Sequence, residues 1–337
     1  MLKKVGINGF GRMGRLAARV IEARGDLQVV AVNEPHGTPE TLAVLMEFDS
    51  VQGRWGHDCR ALGEDRLELA GRSIALRRET DPARLNWREL GVDIVLECSG
   101  KFRTPEALAP HLANGARRVV VSETLKGLDT NVVLGVNEGA VDLAREPIVS
   151  AASCTTNCLA PLVRVLHDSI GVVRGLVTTI HDPTNTQEVH DAPQKDPRRA
   201  RASMLSLIPT STNSAHAVGK VIPELAGKLD SVAVRAPVLN ASLTDFVFEA
   251  KRATNIVEVN AALEAASRSG PLVGILGYET RPLVSADFAR DPRSAIVDAG
   301  LTRVTDGVLV KVMAWYDNEF GYANRLAELA GKVAAHL

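Results

Sequence analysis

The sequence predicts an α/β protein in which a doubly wound parallel sheet is followed by an α+β domain with a mostly antiparallel sheet. Before about residue 150, short β-branched runs alternate with helical patterns, which is typical of a parallel sheet covered by helices. A glycine-rich turn at residues 9–14 connects the first of these runs to a helical pattern. Beyond about residue 150, longer strand-like runs separated by extended connections favour an antiparallel sheet. The 337 residues are enough for two such domains.

In the first domain, β-branched runs predict strands at residues 4–8, 28–32, 94–97, 118–122 and 131–134. Apolar side chains at helical spacing predict a helix over residues 14–23, so the first two strands and this helix form a βαβ unit. A second helix is expected over residues 104–114, because Thr104 is followed by Pro105 and proline is favoured at the first helical position.

In the second domain, strand-like runs occupy residues 171–179, 231–235, 242–249 and 308–315. Residues 182–203 follow neither period, and connections of this length in compact domains are usually functional or disordered. Residues 323–335 carry apolar side chains on one helical face and predict a docked amphipathic helix. We therefore expect a first domain over residues 1–152, completed by a C-terminal helix at 318–337, and a second domain over residues 153–317.

Composition argues against several classes of function. Thirty-nine basic and forty acidic side chains leave a formal net charge of −1, so no global charge favours nucleic acid or a membrane surface as a partner. Charged residues interrupt every apolar run before the roughly 18 residues that a membrane-spanning helix needs. The apolar run near the first residue is too short for a secretory signal, so we expect a cytoplasmic location. Four cysteines are too sparse for a disulfide framework, so an important cysteine would be chemical.

The turn at residues 9–14 fits the G-x-G-x-x-G fingerprint of the Rossmann dinucleotide-binding fold. Its glycines would allow a tight turn, close approach of a pyrophosphate and close packing of helix on strand. Glu34, twenty positions beyond the last glycine, could accept hydrogen bonds from a ribose 2′-hydroxyl and would repel a 2′-phosphate, which favours NAD over NADP. A turn without a ligand and a solvated glutamate are the alternative. The candidate cofactor residues here are Gly9, Phe10, Gly11, Arg12, Met13, Gly14 and Glu34.

Cys154 is the candidate nucleophile. Ser153 can cap a helix whose apolar face continues through residue 166, which places Cys154 in the first helical turn. Unpaired N–H groups and the helix dipole stabilise a thiolate there and lower the pKa of the thiol. Cys158, one turn further on, is expected to be a buried inert thiol, and we find no Cys or His spacing that suits a metal. His181, at the end of a strand, is the candidate proton acceptor, although a lone histidine there is more often structural.

Four segments closely resemble the phosphorylating glyceraldehyde-3-phosphate dehydrogenases, with a match that runs nearly end to end: residues 5–12, 153–158, 219–225 and 315–322. The resemblance implies an NAD-binding Rossmann domain, a catalytic domain, and oxidation of glyceraldehyde 3-phosphate with NAD⁺ through a cysteine thioester. An inorganic oxyanion would then release the acyl group, giving 1,3-bisphosphoglycerate with phosphate or 1-arseno-3-phosphoglycerate with arsenate. The family is typically homotetrameric, with residues 182–203 at a subunit contact.

Three segments, residues 48–55, 180–187 and 241–245, look most like the branch of this family that is encoded in bacterial arsenic-resistance operons. That likeness implies arsenate detoxification and a functional link to an efflux permease for the organoarsenical product. A housekeeping glycolytic enzyme and an erythrose-4-phosphate dehydrogenase are the nearest alternatives, because both would use the same thiol and histidine. A regulatory NAD-binding protein without turnover is the alternative from another class.

The resemblance also assigns roles to single residues. It places the nucleophile at Cys154 and the general base at His181. Ser122 matches a position that lines the cofactor, and Asn318 matches the amide that orients the nicotinamide. The positions that match anion-binding residues include two arginines, whose paired N–H donors suit dianions. This set is Ser153, Thr155, Thr184, Arg199, Thr212, Asn213 and Arg235.

The sequence departs from the family pattern near these positions. Asp182 and Pro183 follow His181 where the family usually has Ala and Tyr, so the histidine is expected to gain a carboxylate neighbour. Asn213 stands where glycine is usual, in a loop expected to bring a backbone N–H close to an anion, and asparagine is among the residues that tolerate a positive φ. Around the cofactor, the Glu34-Pro35 pair and residues 122–124 also differ from the usual pattern.

Overall fold

The computed structural model describes residues 2–125, 127 and 129–337. These residues form two compact units. The first unit contains residues up to 132, residues 139–152 and residues 323–337, whereas the second contains residues 133–138 and 153–322. Each unit has its own sheet.

The first unit is built on a mainly parallel sheet. Its strands β1 to β8 are Lys3–Asn8, Leu27–Asn33, Cys59–Ala61, Arg66–Leu69, Arg72–Arg77, Ile94–Glu97, Arg118–Val121 and Ile148–Ser150. These described strands follow the spatial order β3-β4-β5-β2-β1-β6-β7-β8. Neighbouring strands from β5 through β2, β1, β6 and β7 to β8 are parallel, and β3, β4 and β5 pair antiparallel. The parallel part has the strand order of a doubly wound nucleotide-binding sheet, which confirms the predicted class.

Helices α1, α2 and α3 of this unit are Arg12–Arg24, Pro39–Glu47 and Pro105–Ala113. Helix α1 packs beside β2, and α3 packs beside β7. Thr104 caps α3 by accepting the N–H of Ala107, and Pro105 is the first helical residue, as predicted. The core under these elements is centred on the fully buried Trp87, which clusters with apolar side chains of β6, α3 and β7.

The prediction of a strand at residues 131–134 is wrong. Asn131 forms an isolated bridge with Ser150, and the chain turns directly afterwards. The side chain of Asn137 accepts the N–H of Val133 at 2.7 Å, so a side-chain acceptor takes the place that a neighbouring strand would fill. The sequence pattern did not predict α2, β3 to β5 or β8, because these short elements have no long apolar period.

The second unit contains a mostly antiparallel sheet, as predicted. Its strands β9 to β16 are Val172–His181, Ile208–Ser211, Leu229–Arg235, Ser242–Ala250, Leu276–Glu279, Ala295–Asp298, Arg303–Thr305 and Leu309–Tyr316. These described strands follow the order β10-β11-β9-β12-β16-β14-β13, with β15 beside β16. Only two of its pairs among the described residues are parallel, β9 with β11 and β13 with β14. Side chains along β12 alternate between buried and half-buried, which is the pattern of a strand with one covered face.

Four further helices complete the fold: α4 is Cys154–Ser169, α5 is Ser214–Val221, α6 is Ile256–Arg268 and α7 is Phe320–Ala334. Helix α4 packs against α5, α6 and strands β9 and β14. Residues 182–207, between β9 and β10, form turns without a helix or a strand. Within the described part of the chain, none of the helices has the length and apolar character needed to cross a membrane.

The three glycines of the β1–α1 turn have different surroundings. Gly9 has a φ of +92°, and a Cβ there would lie 2.5 Å from the backbone nitrogen of Ser99. A Cβ on Gly14 would lie 2.1 Å from the carbonyl oxygen of Gly9. A Cβ on Gly11 would meet no described atom within 4 Å. Close contacts at Gly9 and Gly14 therefore set the path of the chain from β1 into α1.

We expect Gly14→Ala to lower the free energy of unfolding by about 3 kcal/mol, because a methyl group placed against backbone forces the turn to shift. Gly11→Ala is the matched control, and its open surroundings should keep the loss to about 1 kcal/mol or less. Urea unfolding followed by circular dichroism measures both differences. Equal losses in the two variants would contradict this account of the turn.

Candidate active site

The β1–α1 turn is open to a ligand at Gly11. Gly11 directly precedes α1, and no side chain in the described residues caps the N terminus of this helix. Backbone N–H groups at an uncapped helix N terminus bind anions such as a pyrophosphate. Together with the open space above Gly11, these groups fit the diphosphate of a dinucleotide.

Glu34 follows β2 and lies against the glycine-rich turn. Its carboxylate accepts the N–H of Phe10 at 3.0 Å and the N–H of His36 at 3.2 Å. A carboxylate offers about four lone-pair sites, so two remain for the ribose hydroxyl that the sequence predicts. Glu34 therefore also stabilises the glycine-rich turn, and its position in the sequence did not indicate this role.

The other predicted cofactor residues of the first unit lie at the ends of parallel strands. Arg12 forms an ion pair with Asp49, with 2.5 Å between Nη1 and Oδ2. Met13 follows it in the first turn of α1. Ser122 comes directly after β7, and its N–H donates to the carbonyl of Glu97 at 2.9 Å. Ligands of doubly wound sheets bind at these carboxyl ends, which is consistent with the predicted positions.

Cys154 is the first residue of α4. Ser153 caps this helix, because its Oγ accepts the N–H of Thr156 at 3.1 Å. The Cys154 sulfur lies 3.7 Å from Nε2 of His181 and 4.0 Å from the hydroxyl oxygen of Thr155. The predicted cap and the predicted position of the thiol in the first turn are therefore confirmed.

His181 is the last residue of β9, and the sheet brings its neighbours to it. Strand β11 runs parallel to β9 and places Arg235 directly opposite His181 in register. Tyr316, the last residue of β16, faces the imidazole edge-on with 6.0 Å between ring centroids. The imidazole therefore has Cys154 on its Nε2 side and charged groups on its Nδ1 side.

Three atoms surround Nδ1 of His181. The carbonyl oxygen of Asp182 lies at 2.8 Å, its carboxylate Oδ1 at 2.6 Å and Nη1 of Arg235 at 2.8 Å. Two of these atoms are acceptors, so we place a proton on Nδ1 and let it donate to Asp182. Nη1 of Arg235 then donates its hydrogen bond to the Asp182 carbonyl, at 2.8 Å. Its contact with the protonated Nδ1 of His181 is repulsive, because both atoms are donors.

Burial alone would raise the pKa of the Cys154 thiol, but the hydrogen bond and the charge of His181 outweigh it, so this pKa lies below that of an ordinary thiol. Burial would lower the pKa of His181, but Asp182 and Cys154 raise it to about 9. The two shifts describe one coupled pair, a thiolate beside an imidazolium. The sequence predicts a lowered thiol pKa from the helix N terminus, and the structure adds His181 as a second cause.

The other three cysteines have the opposite character. Burial is the main cause that raises the pKa of Cys59 and of Cys158 to about 12. Burial likewise raises the pKa of Cys98, and the charge of Glu97 adds to the effect. Cys158 is fully buried, as predicted. A single thiol of the chain is therefore prepared for nucleophilic attack.

Two of the predicted anion-binding residues are arginines that influence each other. Arg199 lies in the connection between β9 and β10, where its Nε donates to the hydroxyl of Thr210 at 2.8 Å. Burial lowers the pKa of Arg235, and the charge of Arg199 acts in the same direction. Two guanidinium groups close enough to repel each other favour the binding of a dianion between them.

Thr184, Thr212 and Asn213 bond within their own loops. The N–H of Thr184 donates to the side chain of Gln187 at 2.9 Å, and the Thr212 hydroxyl accepts the N–H of Ser214 at 3.3 Å. Asn213 precedes α5 with a φ of −103°, so this position does not use the positive φ that glycine and asparagine tolerate. Any residue adopts this conformation, which leaves the close approach of a backbone N–H to an anion as the reason for expecting glycine here.

Asn318 and Thr155 are held by contacts that the sequence pattern did not predict. Asn318 donates to the Asp182 carboxylate and accepts from the hydroxyl of Ser242, each at 3.0 Å. The hydroxyl of Thr155 lies 3.1 Å from that of Tyr316. Ser242 and Tyr316 sit at paired ends of β12 and β16, and the alternating pattern of those strands was the available signal.

In the part of the chain that the structure describes, no group of three or more His, Cys, Asp or Glu side chains could hold a metal ion.

Comparison with known proteins agrees with this geometry. Residues 3–105 match the family model described as "Glyceraldehyde 3-phosphate dehydrogenase, NAD binding domain", and residues 153–318 match the model of the C-terminal domain of the same family. The first domain therefore belongs to an NAD-dependent oxidoreductase.

Similar proteins narrow this class. The chain is 53% identical to glyceraldehyde-3-phosphate dehydrogenase 3 of a Nostoc species, over 100% of both chains. It is 47% identical to glyceraldehyde-3-phosphate dehydrogenase of Geobacillus stearothermophilus over 99% of both chains, and 48% identical to that of Cereibacter sphaeroides over 98% of both. The chain belongs to the glyceraldehyde-3-phosphate dehydrogenase family, and its cofactor is NAD.

We expect iodoacetamide to modify Cys154 well before the other cysteines at neutral pH, because only its pKa is lowered. Mass spectrometry of peptides after a timed exposure measures the modified fraction at each position. Cys154→Ala should leave the whole chain nearly unmodified over the same interval. Faster modification of Cys59, Cys98 or Cys158 would contradict the assignment of the reactive thiol.

Proposed function

We propose that this protein oxidises glyceraldehyde 3-phosphate with NAD⁺ through a thioester on Cys154, and transfers the acyl group to inorganic phosphate or arsenate. The observation that carries the proposal is the 3.7 Å contact between the Cys154 sulfur and His181 Nε2. The full-length relatives named glyceraldehyde-3-phosphate dehydrogenase support the choice of substrate. The first domain would bind NAD, with residues 318–337 completing it, and residues 153–317 would carry the chemistry.

The first step is addition of the Cys154 thiolate to the aldehyde carbon. The carbon–sulfur bond forms while the carbonyl electron pair moves to oxygen, and His181 delivers its Nε2 proton to that oxygen. The product is a thiohemiacetal. Backbone N–H groups in the first turn of α4 would stabilise the negative charge as it develops.

The second step converts the thiohemiacetal into a thioester. When bound, NAD⁺ would supply the acceptor for the hydride that leaves this carbon. His181, now neutral, removes the hydroxyl proton, so the carbonyl bond forms again with sulfur attached. An inorganic oxyanion then adds to the thioester carbon, and the Cys154 thiolate leaves beside the protonated His181. The acyl phosphate or acyl arsenate is released, and the proton of the attacking anion passes to solvent.

Two anions must be held in this scheme, the phosphate of the substrate and the attacking oxyanion. Arg199 and Arg235 supply the guanidinium donors, and Ser153, Thr155, Thr184, Thr212 and Asn213 would supply hydroxyl, amide or backbone donors. Ser122, Glu34, Asn318 and the turn at residues 9–14 would hold the cofactor. Each of these roles is carried over from the family by position.

We place the protein in the arsenic-resistance branch of the family, where arsenate would be the acceptor. Residues 48–55, 180–187 and 241–245 support this placement. Arsenate has the charge and tetrahedral shape of phosphate, so a pocket of arginine and threonine donors suits both anions. The 1-arseno-3-phosphoglycerate formed in the cytoplasm would then pass to an efflux permease. Glycolysis and oxidation of erythrose 4-phosphate are the competing roles.

A homotetramer is part of the proposal. Large apolar side chains are exposed on β9, on β11 and in residues 182–207, and patches of this kind mark protein interfaces. The exposed fraction is 66% for Leu176, 55% for Val232 and 86% for Leu205. Further copies of this chain are the occupant we infer, because the connection that the family uses as a subunit contact carries part of the patch.

Mixing the protein with NAD⁺ and glyceraldehyde 3-phosphate in a stopped-flow instrument should give a burst of NADH absorbance. Cys154→Ala should abolish the burst, because no thiohemiacetal can form, while leaving NAD⁺ affinity nearly unchanged. His181→Asn should slow it by about 10² to 10⁴, the usual contribution of general acid–base catalysis. A wild-type protein that binds NAD⁺ without a burst would be the regulatory protein of the other class.

The acceptor is decided by adding phosphate and arsenate in separate reactions and comparing steady-state turnover. A higher kcat/KM with arsenate supports the detoxification role, and a clear preference for phosphate supports the glycolytic one. Erythrose 4-phosphate in place of the substrate tests the remaining alternative. A larger kcat/KM for erythrose 4-phosphate would contradict the proposed substrate.

Size-exclusion chromatography with light scattering should give the mass of four chains. Leu176→Asp should shift the protein to smaller species, because a carboxylate in an apolar interface is left without a partner. Val257→Asp on α6 is the matched control, because Val257 is also exposed but lies outside the patch. A monomeric wild-type protein would rule out the tetramer.

A further inference from the structure

Asp182 holds a buried carboxylate between two residues to which the proposed function gives roles. Its exposed fraction is 3%. Oδ1 lies 2.6 Å from Nδ1 of His181, and Oδ2 accepts a hydrogen bond from Nδ2 of Asn318 at 3.0 Å. One side chain therefore contacts both the proposed base and the amide proposed to orient the nicotinamide.

The orientation of this carboxylate is fixed from its far side. A carboxylate can only accept, so the Asn318 side chain must present its NH₂ group to Asp182. Ser242 then donates to the remaining Asn318 oxygen at 3.0 Å, and both of these residues are buried. With Oδ2 held in this way, Oδ1 faces the imidazole.

A buried charge needs a partner, and the imidazole is the partner that Oδ1 has. Among the described residues, no hydrogen-bond donor is aligned on Oδ1, so the 2.6 Å ion-pair contact with His181 is its nearest compensation, and the charge of Arg235 adds to it. The structure therefore favours a protonated ring wherever this carboxylate is ionised.

Four groups face the His181 ring. Cys154 approaches from α4, Arg235 from β11 and Tyr316 from β16, while Asp182 lies on the same segment as the ring. The thiolate and the carboxylate favour the imidazolium, and the guanidinium opposes it. Burial and the charge of Cys154 raise the pKa of Tyr316, so its phenol stays neutral. Without the Asp182 carboxylate, only the thiolate would offset the effect of the Arg235 guanidinium on the pKa of His181.

We propose that Asp182 is a positioning residue, which keeps Nδ1 of His181 protonated and directs Nε2 to the Cys154 sulfur. The inference rests on the proposed function of the Cys154–His181 pair and assigns a third member to it. Asp182 acts through His181 and is not itself a reacting group. Its contribution is the charge that keeps the proton on the imidazole and therefore off the sulfur.

The test is the rate of Cys154 alkylation by iodoacetamide as a function of pH, measured on the full chain without NAD⁺ or substrate. In the wild type, the rate should change once as the thiolate–imidazolium pair forms and again as the imidazolium loses its proton. Asp182→Asn removes the charge and keeps the size of the side chain. We expect the second change to move down by about one pH unit or more, and alkylation at neutral pH to slow because less of the pair is in the thiolate–imidazolium form.

Asp245→Asn is the matched control, because Asp245 lies on β12 of the same sheet and pairs with Lys311 at 2.7 Å. Its profile should equal that of the wild type. In a His181→Asn background, Asp182→Asn should no longer slow alkylation. Only the direct repulsion between this carboxylate and the Cys154 thiolate is left to remove there, so a small acceleration is expected. A further slowing in that background, or an unchanged profile in Asp182→Asn alone, would overturn the proposed role.

The same measurements separate this inference from the function on which it rests. If His181→Asn leaves the profile of Cys154 unchanged, the thiol–imidazole pair itself is refuted. If His181→Asn alters the profile and Asp182→Asn does not, only the role of Asp182 fails. Circular dichroism confirms folding, and Asp182→Ala provides the same comparison if the asparagine variant does not fold.

Discussion

The contact between the Cys154 thiol and the His181 imidazole depends on two elements that end or begin at the same place. Helix α4 begins at the cysteine because Ser153 caps it, and β9 ends at the histidine. Neither group alone would be reactive, because burial opposes the charge on each of them. Each charge stabilises the other, so the thiolate and the imidazolium can both exist in a buried site. The capped helix and the register of the sheet are both needed, because together they bring the two groups into contact.

Local patterns were sufficient for much of this fold. The β1–α1 turn, the capped start of α3, the long strands of the second sheet and the first turn of α4 all follow from residues within a few positions of one another. The strand expected at residues 131–134 does not form, because the Asn137 side chain accepts the N–H of Val133 and ends the pairing. A prediction based on apolar residues could not anticipate this, since asparagine is polar. Short edge strands such as Cys59–Ala61 were missed for a similar reason, since three residues cannot establish a period.

The contacts that define the candidate site join distant parts of the sequence. Arg235 meets His181 because β11 is parallel to β9, and this pairing was not predictable from either strand alone. The contact of Tyr316 with Thr155 spans 161 positions, and that of Asn318 with Asp182 spans 136. Roles for Arg235 and Asn318 could be assigned only by resemblance, because members of a family share the same contacts between distant positions. The sequence did suggest a carboxylate beside His181, because Asp182 is adjacent to it, but it could not reveal what holds that carboxylate from behind.

Pro183 gives the Asp182 carboxylate a further property. A residue that precedes proline is kept out of the helical region by contact with the ring, so its backbone remains extended as it continues from β9. Part of the backbone entropy lost when this segment is ordered is therefore already absent from the unfolded chain. The electrostatic environment of the thiol is preorganised by covalent structure, before any ligand arrives.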